Sequence, residues 1–366
     1  MGVSPGPDEV RAIAGRFRVA GSVTTLRPIP GGHINDTYRV ETRHPDGTRR
    51  DYLLQRLNPH VFPRPDLVME NVARIARHLA RRAARYPALI RSHEDGDSIP
   101  DAAGGVWRMF VHIDGTRVRD RVESPADARG VGRAFGEFLR LLADDGRGGG
   151  PSLHETIPGF HDTRARFARL EAAVNADGLH RAAGSRTEID AVFRDIALAD
   201  VLPPLMASGA VPLRAVHNDA KIANVLFDRA TGDPVCVIDW DTVMPGSALH
   251  DFGDLVRASV SPTAEDEPDT SEIRVRRELF RALAEGYLES ARDVLTGEEV
   301  RLLVFAGRLI TLEQAVRFLT DHLEGDRYYR IARPGHNLIR CRAQLALLRS
   351  LTDQEAALER IITEVS

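Results

Sequence analysis

The chain has 366 residues, of which 43% are hydrophobic, and its formal net charge is -4. This length is enough for a large core in two lobes or domains, and the charge gives no general attraction to nucleic acid. No apolar run is long enough to cross a membrane, and two cysteines cannot form a disulfide framework. Because the N-terminus also lacks the basic and apolar segments of a signal peptide, we expect a cytoplasmic protein.

The N-terminal third has the pattern of a small sheet accompanied by helices. Residues 8–18 have the apolar spacing of a short helix, and Pro-Asp-Gly at 45–47 predicts the turn of a hairpin. A longer helix is predicted over 65–84. The apolar runs at 88–90 and 106–111 are predicted as the last two strands of this lobe.

A Gly31-Gly32 pair lies between two apolar stretches near the N-terminus. Glycines can bring backbone N–H groups close to an anion, as a loop that covers nucleotide phosphates must do. A plain hairpin turn explains the same pair, so both interpretations stay open at this point.

Helical patterns dominate from about residue 125 onward. One helix is predicted to open near Thr163, with Asp162 or Thr163 as its cap. His161 fits either the start of that helix or the lining of a pocket.

Two segments, 216–227 and 237–241, each set short β-branched runs against polar residues, which is typical of strands joined by a functional loop. The first contains H-x-D-x-K-x-x-N. Kinase-type phosphoryl transfer uses a loop Asp to accept the hydroxyl proton, an Asn five residues later to hold a metal, and a further Asp on the metals that bridge the phosphates. Asp219, Asn224 and Asp239 stand in that order. The alternative makes them turn residues and a strand terminator.

Lys221 is the only lysine in the chain. It lies two residues after Asp219, where its compact ammonium is placed to meet the transferring phosphate. Further along, Asp251 or Asp254 is expected either to hold this loop by hydrogen bonds or simply to favour the start of a helix.

The third strand of a kinase supplies a lysine to the α- and β-phosphates, and this chain has none there. Gln55 or Arg56 occupies that place, and Gln55 matches the pattern better. Glu70 is a candidate for the glutamate that would pair with such a lysine. Its position nearly opposite the apolar stripe of its helix favours a solvent-exposed side chain instead.

These segments resemble the aminoglycoside phosphotransferase and choline kinase superfamily, which shares the protein-kinase fold. A closer resemblance is to bacterial N-acetylhexosamine 1-kinases. It rests on the catalytic-loop segments and on four further motifs, which are G-G-H-I-N-D-T-Y at 31–38, L-Q-R-L-N at 54–58, W-R-M at 107–109 and R-F-L-T-D-H-L-E-G-D-R-Y at 317–328.

The resemblance implies an α+β, two-lobed protein-kinase-like fold. Residues 1–112 would form a small nucleotide-binding lobe with an antiparallel sheet and one helix. Residues 113–366 would form a larger, mainly helical lobe for catalysis and substrate binding. The implied reaction is ATP- and Mg²⁺-dependent phosphorylation of the anomeric hydroxyl of N-acetylglucosamine or N-acetylgalactosamine.

The resemblance also assigns site residues. Asp219 would be the base and would contact the sugar, and Asn224 and Asp239 would hold the metal. Lys221 joins Asp219 as a catalytic candidate on the ground of its own position and charge. Arg317 and Tyr328 would contact the sugar. The nucleotide-binding candidates are Gly31, Gly32, His33, Gln55 and Met109.

Charge bears independently on the substrate. Residues 327–342 contain five arginines and no acidic residue. A pocket for polycationic aminoglycosides should be acidic. If this region borders the pocket, as the resemblance implies, a neutral or anionic acceptor fits better. Aminoglycoside, choline and homoserine kinases remain alternatives, as do a nucleotide-binding regulator without turnover and a metal phosphoesterase. An ion pair with Glu313 or Asp321 is the alternative role for Arg317.

Overall fold

A computed structural model describes residues 6–29, 35–59, 61–82, 85–101, 104–143 and 150–366. The chain divides into two compact units, and each is treated by itself below. The N-terminal unit comprises 1–116, 151–157 and 238–243, and the C-terminal unit comprises 117–150, 158–237 and 244–366. None of the helices in the described ranges is long and apolar enough to cross a membrane.

The N-terminal unit is built on an antiparallel sheet. Its elements are α1 (Pro7–Ala14), β1 (Ser22–Pro28), β2 (Asp36–Arg43), β3 (Arg49–Leu57), α2 (Pro65–Leu79), β4 (Ile99–Pro100), β5 (Val106–Val111) and the start of β6 (Thr116–Arg117). Five strands join in the order β1-β2-β3-β5-β4. The predicted hairpin is confirmed, because β2 and β3 pair antiparallel and Gly47 adopts a φ of 88° in their turn.

Three boundaries differ from the sequence prediction. Helix α2 ends at Leu79 rather than at 84. Helix α1 ends at Ala14 rather than at 18, because the fully buried Phe17 instead forms an isolated bridge with Ser92. Residues 88–90 form only a single bridge, Leu89 to Phe110, and not a strand. Short contacts of this kind have no periodic signal in the sequence.

The strand register places two sets of side chains on opposite faces of the sheet. Leu54 pairs with Met109, and both are fully buried in a cluster with the residues of α1. Gln55 pairs with Arg108 in the next position. Because side chains alternate along a strand, Gln55 and Arg108 lie on the other face.

The C-terminal unit is mainly helical. Its helices are α3 (Pro125–Leu142), α4 (Thr163–Ala176), α5 (Arg186–Arg194), α6 (Leu202–Ala207), α7 (Ala248–Ser259), α8 (Arg277–Ala291), α9 (Gly297–Arg301), α10 (Leu303–Glu324), α11 (His336–Asp353) and α12 (Glu355–Val365). Its strands are β7 (Arg214–Val216), β8 (Val225–Asp228), β9 (Pro234–Val237) and β10 (Met244–Gly246). The predicted α+β class, with an antiparallel sheet followed by a helical part, is confirmed.

Helix α10 runs through the centre of this unit. Its residues Leu312, Val316 and Leu319 are fully buried in one cluster with Leu170 of α4 and Cys341 of α11. Two antiparallel strand pairs, β7 with β10 and β8 with β9, flank the segment that carries Asp219. The candidate catalytic loop therefore lies between two short antiparallel strand pairs in the helical unit.

Candidate active site

The buried carboxylate of Asp251 holds the loop at 217–224 by hydrogen bonds. Asp251 accepts hydrogen bonds from the backbone N–H groups of His217 at 2.8 Å and Asn218 at 2.6 Å. Burial raises the pKa of Asp251, although these donors and the charge of His217 oppose the shift. The prediction that Asp251 holds the loop is confirmed, whereas Asp254 instead binds Arg257 at 2.7 Å.

A glycine on the neighbouring strand lets the chain approach this loop closely. Gly246 of β10 pairs with Arg214 of β7. A Cβ at Gly246 would lie 2.6 Å from Cγ2 of Val216 and 2.8 Å from Oδ1 of Asn218. Asn218 itself adopts a left-handed φ of 63°. The loop is therefore fixed by close packing as well as by hydrogen bonds.

Asp219, Lys221 and Asn224 converge at the exposed side of the loop. The Nζ of Lys221 lies 3.0 and 2.8 Å from the two carboxylate oxygens of Asp219. The Nδ2 of Asn224 donates to the backbone carbonyl of Asp219 at 2.9 Å and to its Oδ2 at 3.1 Å. Burial by itself would raise the pKa of Asp219, but the charge and hydrogen bond of Lys221, with the charge of His217 and the hydrogen bond of Asn224, together outweigh it and lower the pKa to about 2. Asp219 is therefore ionised at neutral pH.

A second polar network joins the loop to α10 through His161. Its Nδ1 lies 2.9 Å from Oε1 of Glu313, and its Nε2 lies 3.3 Å from the carbonyl oxygen of Asn218. Thr163 donates to the other carboxylate oxygen of Glu313 at 2.7 Å. Both ring nitrogens of His161 therefore lie beside oxygen atoms of other residues. His161 thus links α10 to the peptide group that precedes Asp219.

Arg317, one turn after Glu313 on α10, is surrounded by aromatic rings. Its guanidinium carbon lies 5.3 Å from the ring centre of Phe160, 5.8 Å from that of Tyr328 and 5.7 Å from that of Tyr329. Within the described ranges no carboxylate lies within 4.0 Å of this guanidinium. Rings attract the cation without neutralising its charge. Arg317 therefore keeps its positive charge available.

The two carboxylates that could have paired with Arg317 have other partners. Glu313 binds His161 and Thr163, as described above. Asp321 accepts hydrogen bonds from the backbone N–H groups of 327, 328 and 329 at 2.8 to 2.9 Å. The alternative of an ion pair on α10 is therefore wrong. Asp321 instead fixes the turn that carries Tyr328, whose side chain is exposed.

In the N-terminal unit, a buried ion pair lies beside the predicted metal ligand Asp239. The Nη1 of Arg108 donates to Oδ1 of Asp241, and both side chains are at most 3% exposed. Gln55 accepts from Nε and Nη2 of Arg108 at 3.1 and 2.9 Å. Asn35 donates to the other oxygen of Asp241 at 2.7 Å. Asp239, two residues earlier, adopts a left-handed φ of 64°.

Arg56 and Glu70 do not take part in this network. Arg56 binds Asp101 at 2.8 Å. Glu70 is about half exposed and binds Arg74 at 3.0 Å and His154 at 2.7 Å. The interpretation of Glu70 as a solvent-exposed charge is therefore confirmed.

The nucleotide-binding role of the remaining candidates stays a prediction. Gly31, Gly32 and His33 lie outside the described residues. Met109 is fully buried in the sheet, and its carbonyl accepts a hydrogen bond from the backbone N–H of Ile90 at 2.8 Å.

Two arginines were not singled out from the sequence. Arg108 had a signal that could have found it, since it interrupts the otherwise apolar strand V-W-R-M-F-V. Arg166 of α4 had none, because exposed arginines are common on helices. Its Nη2 donates to the carbonyl of Phe160 at 2.7 Å. Burial and then the charge of Arg317 lower the pKa of Arg166, which places a second guanidinium near the first.

Three solved structures share this fold at low identity. The microcompartment-associated aminopropanol kinase has a TM-score of 0.59 at 16% identity, covering 96% of this chain and 98% of its own. An amicoumacin kinase bound to AMP-PNP, Ca²⁺ and Ami has a TM-score of 0.59 at 16% identity, covering 99% and 93%. A choline/ethanolamine kinase family protein from Mesorhizobium loti has a TM-score of 0.57 at 19% identity, covering 98% and 99%. At these identities the likeness concerns the fold alone.

The family itself is identified by sequence. Residues 25–294 match the model of the phosphotransferase enzyme family, APH. This match includes the catalytic loop, Asp239 and the Arg108 network. Since it spans well over half of the 366 residues, the chain belongs to the phosphotransferase enzyme family.

Proposed function

We propose that this protein uses Mg-ATP to phosphorylate the anomeric hydroxyl of an N-acetylhexosamine, GlcNAc or GalNAc. The observation that carries the proposal is the environment of Arg317. This cation has aromatic neighbours and no carboxylate partner among the described residues, and it lies over the ring of Phe160, next to His161, which contacts the catalytic loop. A guanidinium with no carboxylate in direct contact suits oxygen-rich neutral or anionic acceptors.

The same charge argues against acceptors that carry an amine. The names of two structural neighbours indicate aminopropanol and choline or ethanolamine as their acceptors. An ammonium group placed near Arg317 and Arg166 would meet two guanidiniums and would be repelled. Selectivity often depends on such an unfavourable pairing with the wrong ligand.

Aromatic rings and arginine side chains also suit a sugar. Arg317 offers a planar fork of donors that can hold two neighbouring oxygens. Tyr328 adds an exposed ring with a hydroxyl at its tip. Together they would hold the ring of the sugar so that its anomeric hydroxyl faces Asp219.

The proposed chemistry uses Asp219 mainly to orient the acceptor. The hydroxyl oxygen attacks the γ-phosphorus, the bond to the β–γ bridging oxygen breaks, and the proton passes to Asp219 as ADP leaves. A carboxylate with a pKa of about 2 is a weak base. An anomeric hydroxyl is more acidic than other sugar hydroxyls because the ring oxygen withdraws electron density, so a weak base suffices there.

Asn224 and Asp239 are the proposed ligands of the metal. They supply amide and carboxylate oxygens, which are the donors that Mg²⁺ prefers. The Nδ2 of Asn224 donates to Asp219, which leaves Oδ1 as the atom for the ion. The bound metal would neutralise charge on the β- and γ-phosphates. A neighbour solved with AMP-PNP and Ca²⁺ is consistent with a nucleotide and a divalent ion in this fold.

A panel of acceptors tests the proposal directly. ADP release would be measured with N-acetylated, free-amine and plain hexoses beside aminopropanol, ethanolamine, choline and an aminoglycoside. We expect turnover with N-acetylhexosamines and an acid-labile sugar 1-phosphate in the phosphorus NMR spectrum. Methyl glycosides, whose O1 is blocked, serve as matched controls and should not react. Preferred turnover of an amine acceptor, or a 6-phosphate product, would refute the proposal.

A further inference from the structure

The described residues of the N-terminal unit do not form an ion pair that protein kinases require. In those enzymes a lysine on the third strand pairs with a glutamate on the following helix, and the pair must form for activity. Here Gln55 stands at the lysine position, and Glu70 binds Arg74 and His154 instead. The loss of both partners points to a replacement rather than to one missing group.

A buried cation is nevertheless present beside Gln55, supplied by the adjacent strand. Arg108 of β5 lies directly opposite Gln55 of β3 in the register of the sheet. Two of its nitrogens contact the side-chain oxygen of Gln55, at 3.1 and 2.9 Å. The guanidinium therefore lies at the tip of the residue that stands where the lysine is absent.

The carboxylate that pairs with this cation belongs to the segment of the predicted metal ligand. Arg108 binds Asp241, and Asp239 lies two residues earlier in the turn that includes 240–242. Asp239 has a left-handed backbone, a conformation that a non-glycine residue keeps only where its surroundings hold it. The ion pair fixes the far end of this turn to the sheet.

Every partner in the network has a second contact. Asn35 donates to Asp241 at 2.7 Å and accepts from the backbone N–H of Asn58 at 3.1 Å. The Nε2 of Gln55 donates to Thr37 at 3.3 Å. A buried ion pair adds little stability over an apolar pair of the same volume, but satisfied polar networks restrict geometry. Precise placement of Asp241 is therefore a better explanation of the network than stability.

We propose that Arg108 is a positioning residue that replaces the lysine–glutamate pair. Through Asp241 it holds the turn that carries Asp239 in the conformation that binds the metal–nucleotide complex. This inference rests on the proposed use of Mg-ATP but not on the identity of the acceptor.

The test compares variants by calorimetric titration with Mg-AMP-PNP in the absence of sugar, with circular dichroism melting of each apoprotein as the folding measurement. Arg108→Met leaves Asp241 buried without its cation and is expected to be less stable. The double variant Arg108→Met/Asp241→Asn removes both charges and should recover the melting temperature. Its affinity for Mg-AMP-PNP should still fall about 10- to 100-fold, the usual cost of losing a residue that orients a metal ligand.

A matched control involves β3, the strand that pairs with the strand of Arg108. Arg56 and Asp101 form another largely buried ion pair of this unit, with side chains 16% and 2% exposed. Arg56→Met/Asp101→Asn makes the same chemical change on the opposite face of the sheet from Gln55 and Arg108, and it should leave nucleotide affinity within about twofold.

A relocation variant gives a positive result that a purely structural role would not. Gln55→Lys/Arg108→Met returns the cation to the third strand, opposite its present position. It should bind Mg-AMP-PNP at least about fivefold more tightly than Arg108→Met/Asp241→Asn, because it again presents a positive charge to Asp241.

Several outcomes would overturn the inference. These are a folded Arg108→Met/Asp241→Asn protein with affinity within twofold of wild type, an equal loss in the Arg56 control, or no recovery in the relocation variant. If wild type binds Mg-AMP-PNP but phosphorylates no sugar, only the proposed acceptor is wrong. If it binds no nucleotide, both proposals fail.

Discussion

Two arginines in this molecule have opposite surroundings. Arg108 in the N-terminal unit is 1% exposed and binds the carboxylate of Asp241. Arg317 in the C-terminal unit lies among three aromatic rings and has no carboxylate within 4.0 Å in the described part of the chain. The first charge is neutralised inside the protein and can only position other groups. The second stays available to a ligand.

The comparison predicts different responses to mutation. Removing one partner of a buried ion pair leaves an uncompensated charge and destabilises the fold. Removing Arg317, which lies among rings and donates to the side chain of Gln314 at 3.4 Å, costs packing, that hydrogen bond and a modest cation–π attraction. We therefore expect loss of Arg108 to appear first in stability and nucleotide binding, and loss of Arg317 to appear in binding of the acceptor.

The largest effect is expected at Asp219, the proposed proton acceptor. Asp219→Asn keeps the size of the side chain but removes the proton acceptor, so kcat should fall about a hundredfold or more. Binding of Mg-AMP-PNP should survive, because Asp219 acts on the acceptor. Steady-state kinetics and calorimetry measure the two quantities separately. A variant with nearly normal kcat would exclude Asp219 as the base.

Lys221 should have the next largest effect. Its ammonium contacts Asp219 in the free protein and is proposed to offset charge on the transferring phosphate. Lys221→Met should lower kcat about 10- to 1,000-fold, as expected for the loss of one preorganised charge. Gln55→Ala should cost much less, because a neutral amide contributes little Coulomb energy. The reverse ranking in steady-state kinetics would contradict this division of roles.

The sequence predicted the parts of the molecule that depend on local patterns. The hairpin at 45–47 and the α+β class followed from short motifs, and Asp251 was one of two candidates for a contact with the loop. These features need only neighbouring residues or a known order of elements. The sequence signal of such a feature therefore lies within the short segment that forms it.

The sequence did not predict features that arise from long-range pairing. Arg108 meets Asp241 across 133 positions, and His161 meets Glu313 across 152. Strand register places Arg108, and helix packing places Glu313. Both depend on residues far apart in the sequence. The ion pair proposed as an alternative for Arg317 failed for a different, local reason, because Asp321 instead accepts from backbone N–H groups of the turn after α10.

Arg317 gives the direct test of the charge that is left available. Arg317→Ala should raise the sugar KM about 10- to 100-fold, because a charge-assisted hydrogen bond contributes about 1.5–3 kcal/mol. The KM for ATP should hardly change. The exposed Arg330 offers a matched control, since Arg330→Ala removes the same side chain a few residues after Tyr328. Equal effects of the two variants on the sugar KM would argue for a diffuse field instead of a specific contact.

The smallest effect on turnover is expected at Glu313, whose carboxylate is 2% exposed. Gln at this position can still accept a hydrogen bond from His161, so kcat should stay within about threefold. The substitution Glu313→Gln is instead expected to change the free energy of unfolding. Burial opposes ionisation of Glu313, but the charge and hydrogen bond of His161 prevail and lower its pKa from 4.5 to about 2. A shift of this size corresponds to roughly 3 kcal/mol at most.

The sign of the pH dependence follows from this shift. A carboxylate whose pKa is lower in the folded state stabilises the protein above its unfolded pKa, near 4.5, and the contribution is lost as the pH falls toward about 2. Urea unfolding at pH 7, 5, 4 and 3 would compare wild type with Glu313→Gln. The difference in unfolding free energy should be constant above about pH 5 and should narrow below it. A difference that stays constant down to pH 3 would mean that Glu313 does not titrate in this window, and that His161 does not hold it ionised.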